Sequence, residues 1–494
     1  MTKKDLRIFR SLVLAAIAVG LLATPSLGQA ARANELWRQV EVIRTAHGVP
    51  HIRAENLRAA GYALAWLQCE DYGTFTPRGI LQASGRAASV SGRDQLESDF
   101  TILPQRERLA AAYPLLSKEV RDVYEGFAMG VNRYIELHPE DFPPSMPRDF
   151  TGQDVLATEI APPPLRKIRA FVDRLNPAPT PAPALSPVNG EGESADDGSN
   201  AWAFAPSRTR SGKAILLRNP HLQWTAGYYE AHMTVSGVMD FYGDFRIGGP
   251  FAVIGGFNRY LGWSTTNNDP DLDVIYALDA DPKTPDHYLF DGASVALKRD
   301  LLTASFRNDG GLSTETREFW STPIGPVIHR ANGKIYVIKT AGDGDFRGGE
   351  QFLRMMRARS LAQWKEAMKM RARVTSNFTY ADHAGNIFFI WNASLPLLPH
   401  PPGDDLAAVP AHGKADVWTR YVPFESLPQF LNPPGGYVHN ENNSPHYTNV
   451  RRPADTRNAY PNFEQPELSL RSQLAIQLIG GDDKFSLEDV VRLK

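Results

Sequence analysis

Apolar residues recur at helical spacing in two stretches of the first third of the chain. In LSKEVRDVYEGFAMGVNRYIEL they fall three or four positions apart behind Ser117, a possible N-cap. In GYALAWLQCED a second apolar pattern predicts a helix over 59–68, after a short strand-like run and a turn at 48–50. Both patterns predict helices that bury one face in a core.

Beyond residue 198 the pattern changes to short apolar and aromatic runs separated by turn residues. The runs AWAFAPS, AILLRN, HMTVSGVMDFYGDF, FAVIGGF and YLGWSTTNN predict a multi-stranded sheet. SLAQWKEAM predicts a helix with Ser360 as N-cap and Gln363 as its capping-box partner. NFTYADHAGNIFFIW predicts a hairpin that turns at 384–386, and the last segment holds two further helical patterns.

A proline-rich segment separates these two parts. NPAPTPAPALSPVNGEGESADD, residues 176–197, has too few apolar side chains to pack. It is therefore interpreted as a flexible spacer.

Composition narrows the class of protein. The chain has 494 residues, 42% of them hydrophobic, which is ample for a sizeable core. Its formal charge is -2 and no Lys/Arg run follows the N-terminus, which argues against a nucleic-acid partner. The single cysteine, Cys69, cannot form an intrachain disulfide and lies in an apolar helical pattern, which favours a buried structural thiol.

The N-terminus has the pattern of a secretory signal. Cations precede an apolar stretch at 12–23, and small residues lead to a cleavage site near Ala30. An uncleaved single-span anchor is the alternative, although the apolar stretch is short for one. No later apolar run reaches ~18 residues, so a periplasmic or secreted soluble protein is expected.

A possible nucleophile follows the spacer, and signatures such as G-x-S-x-G, H-E-x-x-H, paired C-x-x-C and a P-loop are absent. If the bond between Gly198 and Ser199 were cut, Ser199 would carry a hydroxyl and an α-amine of pKa ~7.7 to 8.0, suited to a general base. Gly198 would allow the strained backbone that attack on its own carbonyl requires. On DGSN alone, however, a surface turn is the better interpretation.

The surrounding motifs favour the nucleophile. GSNAWAF, SGKAILLRNPHLQW, GWSTTNNDPDLD and NENNSP, with RTAHGVPHIRAENLRAAGYALAW upstream, together resemble the penicillin acylase family of N-terminal nucleophile hydrolases over residues 40–494. NPHLQW and YYEAHMTVSG are most similar to the branch of N-acyl-homoserine lactone acylases and lipopeptide acylases such as aculeacin A acylase.

The resemblance implies a role for each matched residue. Ser199 is the nucleophile and becomes the first residue of the larger chain, with His221 beside its amine. The backbone N–H of Asn267 and the side-chain amide of Asn442 stabilise the oxyanion, and Arg471 orients Asn442 and the amine. Substrate-pocket candidates are Leu222, Trp224 and Trp263.

No metal or organic cofactor takes part in the implied chemistry. The family's calcium site uses acidic residues after the Gly-Trp element, for which Asp271 and Asp273 are the candidates. Val274 stands where another ligand is expected, so the resemblance implies an incomplete calcium site.

The implied fold is α+β, a four-layered αββα sandwich of antiparallel sheets. The expected organisation is a signal at 1–30, a mainly helical small chain at 31–175, a spacer at 176–198 that is trimmed on maturation, and a large chain at 199–494. The two chains would form a heterodimer. The large chain is shorter than the family's usual one, which predicts an incomplete C-terminus.

The implied reaction is hydrolysis of an amide between an acyl group and an amine-bearing head group, with a fatty-acyl homoserine lactone as the first candidate. A β-lactam with an aromatic acyl group and a lipopeptide are alternatives. A truncated or inactive family member that acts as a binding protein is the alternative of another class, and a structural envelope protein, which predicts no cleavage, is a third.

Overall fold

The computed structural model describes residues 35–161, 163–175, 198–222, 227–401, 407–455, 460 and 462–494. The predicted signal at 1–30 lies outside the described residues, and so do residues 176–197 of the predicted spacer. Among the helices of the described part, none combines the length and apolarity needed to cross a membrane.

Helices form most of the part before the spacer. The described α-helices are α1 (Leu57–Tyr72), α2 (Phe75–Ala83), α3 (Ala88–Ser91), α4 (Leu96–Ala112), α5 (Lys118–Leu137), α6 (Gly152–Ala157), α7 (Leu165–Leu175), α8 (Gly348–Arg357), α9 (Leu361–Met368), α10 (Leu470–Ile479) and α11 (Leu487–Leu493). As predicted, Ser117 caps α5, because its hydroxyl accepts the N–H of Val120 at 3.3 Å. Ser360 caps α9, but Gln363 accepts the N–H of Arg359, one residue before the N-cap, so the predicted capping box is not formed.

Strands form most of the part after the spacer. They are β1 (Val40–Arg44), β2 (Pro50–Ala54), β3 (Gly198–Phe204), β4 (Ile215–His221), β5 (Tyr228–Val235), β6 (Met239–Arg246), β7 (Ala252–Phe257), β8 (Leu261–Thr266), β9 (Asp273–Ala280), β10 (His287–Phe290), β11 (Ala293–Ala296), β12 (Lys298–Asn308), β13 (Gly311–Ser321), β14 (Val327–Ala331), β15 (Lys334–Thr340), β16 (Thr375–Asp382), β17 (Ile387–Ala393), β18 (Val409–Pro410), β19 (Gln429–Leu431) and β20 (Tyr437–Asn440). The predicted hairpin is β16–β17, closed by the N–H of Asp382 on the carbonyl of Asn386 at 3.0 Å.

Two sheets stack at the centre of the molecule. The large sheet has the order β1-β2-β5-β6-β7-β8-β16-β17-β19, and the small sheet has the order β20-β3-β4. Pairing in both is antiparallel, as predicted, except for the parallel pair β2–β5, which joins the part before the spacer to the part after it. A further sheet, β11-β10-β9-β15-β14, and the hairpin β12–β13 lie outside this stack.

The alternation of β16 shows how the layers are arranged. Phe378 and Tyr380 place their rings 5.8 and 5.2 Å from that of Trp364 on α9. Asn377 points to the opposite face, where it donates to Asn440 of β20 at 3.2 Å. The large sheet therefore has helices on one face and the small sheet on the other.

The fourth layer covers the outer face of the small sheet. Trp202 and Phe204 of β3 form one apolar cluster with Ala475 and Ile479 of α10 and with residues around α11. The order is thus helices, large sheet, small sheet, helices, and the predicted α+β class and αββα sandwich are confirmed.

The part before the spacer shares the main core. Helices α1 and α5 approach so closely that a Cβ on Gly61 would lie 2.4 Å from the carbonyl oxygen of Val123. Residues of both helices belong to the same apolar cluster as the large sheet. Cys69 is buried within it, and burial raises the pKa of its thiol, as suits a structural residue.

Candidate active site

Ser199 is the second residue of β3, the central strand of the small sheet. It is 7% exposed and lies opposite Pro220 of β4. Proline has no N–H to donate, and the carbonyl oxygen of Ser199 instead accepts from Nη1 of Arg471 at 3.0 Å. The backbone at the predicted cleavage point is therefore held by side chains as well as by its sheet.

Asn442 makes the central contact of the site. Its Oδ1 accepts the N–H of Ser199 at 2.8 Å and Nη2 of Arg471 at 3.0 Å, while its Nδ2 donates to the carbonyl oxygen of Asn267 at 3.2 Å. The backbone of Asn442 has a φ of 66°, which asparagine adopts more readily than most residues. Asn442 thus joins the predicted nucleophile to the predicted oxyanion segment.

Arg471 is held at the start of α10, which Ser469 caps by accepting the N–H of Ser472 at 3.2 Å. Besides its bonds to Ser199 and Asn442, its Nη1 donates to Oδ1 of Asn200 at 2.9 Å. Burial lowers the pKa of its guanidinium. Because the ordinary pKa of arginine is very high, the side chain still remains a cation. Arg471 therefore contacts Asn442, the residue that the resemblance implies it orients.

His221 lies beside this network and is the strand partner of Gly198. Its Nε2 is 3.0 Å from Nη1 of Arg471. Since a guanidinium only donates, Nε2 accepts in its contact with Arg471. His221 thus lies beside the strand residue that precedes Ser199, where its side chain contacts Arg471 and, at 3.5 Å, Oδ1 of Asn200.

Gly198 is closely packed, and its backbone does not show the strain that was predicted. It lies in a strand and does not have the positive φ that only glycine adopts easily. A Cβ at this position would lie 2.8 Å from Nη2 of Arg471 and 2.9 Å from Cε1 of His221. Glycine therefore makes room for the two side chains that pack against the predicted cleavage site.

Asn377 belongs to the site and was missed in the sequence. It is fully buried on β16, and its Nδ2 donates to the carbonyl oxygen of Asn267 at 3.1 Å and to Oδ1 of Asn440. The only sequence signal is a polar residue within the apolar run NFTYAD, which is weak because any half-exposed strand shows it.

A buried carboxylate supports the turn that carries Asn442. Glu441 is 1% exposed and accepts from Nε1 of Trp202 at 2.6 Å, while Nδ1 of His439 lies 2.9 Å from its other oxygen. Residues 439–449 are almost entirely polar and almost entirely buried. An asparagine-rich segment usually forms an exposed surface loop. Here the polar residues are buried and hydrogen-bonded, which is typical of a preorganised site.

The three pocket candidates have different positions. Leu222 is half-buried directly after β4, and Trp224 lies outside the described residues. Trp263 is fully buried, lies opposite Tyr380 of β16, and has its ring 4.9 Å from that of Phe241. Because Tyr380 packs on α9, Trp263 belongs to the core on the helical face of the sheet and not to a pocket beside Ser199.

The calcium candidates are in contact with a lysine. Nζ of Lys167, on α7, lies 3.0 Å from Oδ1 of Asp271 and 2.7 Å from the carbonyl oxygen of Asp273. No group of three metal-ligating side chains occurs within the described residues. An ammonium on these two oxygens would repel a cation, so the arrangement does not fit calcium.

The chain is similar to known acylases. The Penicillin amidase family matches residues 39–494. Acyl-homoserine lactone acylase PvdQ of Pseudomonas fluorescens is 28% identical over 73% of this chain and 50% of its own length, and aculeacin-A acylase of Actinoplanes utahensis is 25% identical over 74% and 51%. The chain thus spans about half the length of these curated relatives.

A solved structure shows the same fold. The thermostable penicillin G acylase from Alcaligenes faecalis superposes with a TM-score of 0.50 at 23% identity, over 60% of this chain and 51% of that one. The predicted family is confirmed: the chain belongs to the penicillin amidase family.

Proposed function

We propose that this protein cleaves its own chain before Ser199 and then hydrolyses the amide bond of an N-acylated substrate. One observation carries the proposal. The N–H of Ser199 donates to Oδ1 of Asn442 while Nδ2 of the same side chain reaches Asn267, so nucleophile and oxyanion donor share one rigid group.

In self-cleavage, Oγ of Ser199 attacks the carbonyl carbon of Gly198, and the C–N bond breaks as the nitrogen takes up a proton. Water then hydrolyses the ester, leaving a carboxylate on Gly198 and a free α-amine on Ser199. Asn442 and Arg471 already contact Ser199 and would hold that amine. A guanidinium this close would lower the pKa of the new amine below its ordinary ~7.7 to 8.0 and so favour the neutral base.

In acyl transfer, Oγ of Ser199 attacks the substrate amide and its proton passes to the α-amine through water. Nδ2 of Asn442 carries two protons, of which one bonds Asn267, so the other can donate to the oxyanion. The amine product leaves with the proton, and water hydrolyses the acyl ester.

For the substrate we infer a fatty-acyl amide, with acyl-homoserine lactone as the first choice because the relatives include enzymes of that name. After cleavage the two chains would remain a heterodimer, since β2 pairs with β5 across the cut and both parts share one core. The pattern at residues 1–30 supports export of the precursor.

Intact mass and N-terminal sequencing test the proposal on the parent, Ser199→Ala, and the exposed control Ser211→Ala. We expect a chain beginning Ser199-Asn200 in the parent and in S211A only. Acyl-homoserine lactones of graded chain length should then be hydrolysed by the cleaved proteins. An uncut parent that hydrolyses none of them, or cleavage at the same bond in S199A, would overturn the proposal.

A further inference from the structure

A cavity of about 650 Å³ lies at one end of the large sheet. Its wall combines the segment that precedes the spacer with residues around β13–β15 and with residues 372–374. Apolar side chains form much of this wall, among them Phe100, Ile160, Leu165, Phe319, Ile324 and Val374. The volume is within the usual range for a site that encloses a small organic ligand.

Three charged residues inside this cavity are poorly paired: Glu159, Arg246 and Arg373, called here the inner charges. Nε of Arg246 and Oε1 of Glu159 are buried and have no hydrogen-bond partner within the described part of the chain. Nε of Arg373 donates to Oγ of Ser376 at 3.1 Å. Buried polar atoms are nearly always bonded, so these exceptions indicate a missing partner.

For Nε of Arg246 the missing partner is a hydrogen-bond acceptor, and the local charge favours an anion. Two guanidiniums face one carboxylate, which leaves an excess positive charge. Burial raises the pKa of Glu159 although both arginines oppose it, and burial lowers that of Arg373, with repulsion from Arg246 adding to the effect.

The aspartates at the rim do not supply that anion. Asp343 is paired with Arg108, Asp300 with Lys298, and Asp345 with Arg347, at 2.8, 2.8 and 2.6 Å. Each of these aspartates therefore has a cation of its own, and Glu107, the remaining carboxylate of the wall, acts on Lys298. The excess positive charge is thus that of the three inner charges taken by themselves.

The cavity and the candidate active site share one end of the large sheet. Strand β6 ends at Arg246, β8 ends just before Asn267, and β16 begins two residues after Arg373. In the order β6-β7-β8-β16 these ends are adjacent, and two strand spacings separate β6 from β8 by on the order of 10 Å. A ligand of ordinary size could therefore span both.

We propose that this cavity binds the part of the N-acyl substrate remote from the scissile amide, and that Arg246 and Arg373 hold a carboxylate on that part. The inference rests on the proposed amide hydrolysis, and it points to a carboxylate-bearing acyl amide in place of an acyl-homoserine lactone, which carries no carboxylate. A carboxylate would accept from Nε of Arg246, pair with the guanidinium of Arg373 and neutralise the inner charges, while the apolar wall would cover the hydrocarbon portion.

Paired substrates test the proposal, since the carboxylate could stand on either side of the amide. One arm compares p-nitroanilides of ω-carboxyalkanoic acids with those of alkanoic acids of equal length. The other compares N-alkanoyl amino acids with their carboxamides. In one arm we expect kcat/KM to be higher for the acid by about 10-fold or more, the size of a charge-assisted hydrogen bond.

Variants assign the preference to the cavity. Arg246→Met should abolish it, and Arg373→Met, which also removes the bond to Ser376, serves as a second variant. The exposed control Arg259→Met should keep it. If the parent hydrolyses both members of each pair equally well, or if R246M retains the preference, the inference is wrong and the proposed function stands.

A binding measurement tests the cavity site even if the protein does not hydrolyse amides. The uncleaved Ser199→Ala protein is titrated with a dansyl-labelled undecanoic acid and with its methyl ester. Tighter binding of the acid by about 10-fold, lost in S199A/R246M, supports the cavity site whether or not the parent is an enzyme. Equal binding of acid and ester overturns it.

Discussion

The candidate active site and the cavity beside it are both polar regions buried at one end of the same sheet, yet they differ in hydrogen bonding. Around Ser199, the amide of Asn442 and the guanidinium of Arg471 are bonded to one another and to the backbone. In the cavity, Arg246 and Glu159 keep buried atoms without partners in the described residues.

Buried polar groups therefore have different consequences in the two regions. A bonded network is rigid and fixes the position of reacting atoms, whereas an unbonded buried charge lowers stability until a ligand compensates it. Substitutions should therefore have opposite effects in the two regions: loss of stability and activity around Ser199, and a gain of stability in the cavity.

The largest effect is expected for Asn442→Ala. It removes the proposed oxyanion donor and leaves Ser199, Arg471 and Asn267 without their common partner. We expect kcat to fall by about 10²- to 10³-fold and the free energy of unfolding to fall by about 1–3 kcal/mol. Steady-state kinetics and denaturant unfolding measure both.

Asn442→Gly is the matched control for strain, because glycine adopts the φ of 66° freely while lacking the amide. It should be as inactive as N442A but more stable. Activity of either variant within a few-fold of the parent would contradict the assigned role.

The ion pair Arg218–Asp244 lies between these two cases. Its charges are bonded at 2.9 Å, as around Ser199, but Asp244 is still desolvated, as are the inner charges of the cavity. Burial raises the pKa of Asp244 to about 6 in spite of Arg218. Between its ordinary value near 3.9 and about 6, the folded protein keeps a proton that the unfolded chain has released. The free energy of unfolding should therefore fall by about 3 kcal/mol as pH rises through this window.

Chemical denaturation at several pH values measures this fall. Asp244→Asn cannot titrate, so the difference between the parent and D244N isolates the contribution of this carboxyl. Parallel pH profiles for the two proteins would show that Asp244 titrates normally.

Gly198→Ala should slow self-cleavage. The added Cβ would displace Arg471 or His221, which lie within 3.0 Å of its position, and small misplacements of reacting groups cost about 10- to 100-fold in rate. The decay of the uncut chain, followed by mass, measures the effect. Gly481→Ala, where a Cβ would meet nothing within 4 Å, should cleave as the parent does.

Lys167→Met tests whether the ammonium of Lys167 occupies the position that calcium would take beside Asp271 and Asp273. The parent should show no shift in Tm with calcium or a chelator, because Lys167 already bonds Asp271 and Asp273. K167M should lose about 1 kcal/mol, part of which calcium restores. The exposed control Lys213→Met should behave as the parent. If calcium raises the Tm of the parent, Lys167 does not occupy the calcium position.

The smallest effect has the opposite sign. Arg246→Met removes a half-buried charge, with a buried Nε, that has no ion pair within the described residues, and we expect it to raise the free energy of unfolding by about 1 kcal/mol. Thermal and denaturant unfolding measure this change. If R246M is less stable than the parent, the cavity and the active site do not differ in the way proposed.

Local signals accounted for much of the fold. Three features depend on interactions within a few residues and can therefore be recognised from the sequence alone. They are the cap at Ser117, the helical spacing of α5 and the β16–β17 turn. The layers followed from family resemblance, which also pointed to Ser199, Asn442 and Arg471.

Tertiary structure decided what depends on contacts between distant segments. Arg471 reaches Ser199 across 272 positions, Lys167 reaches Asp271 across 104, and Trp263 packs into the core because of the strand beside it. The inner charges of the cavity come from three separate segments, none of which is unusual by itself. The sequence by itself determined the local elements and the nucleophile candidate, whereas the bonding and burial of each polar group depend on chain partners that no local pattern encodes.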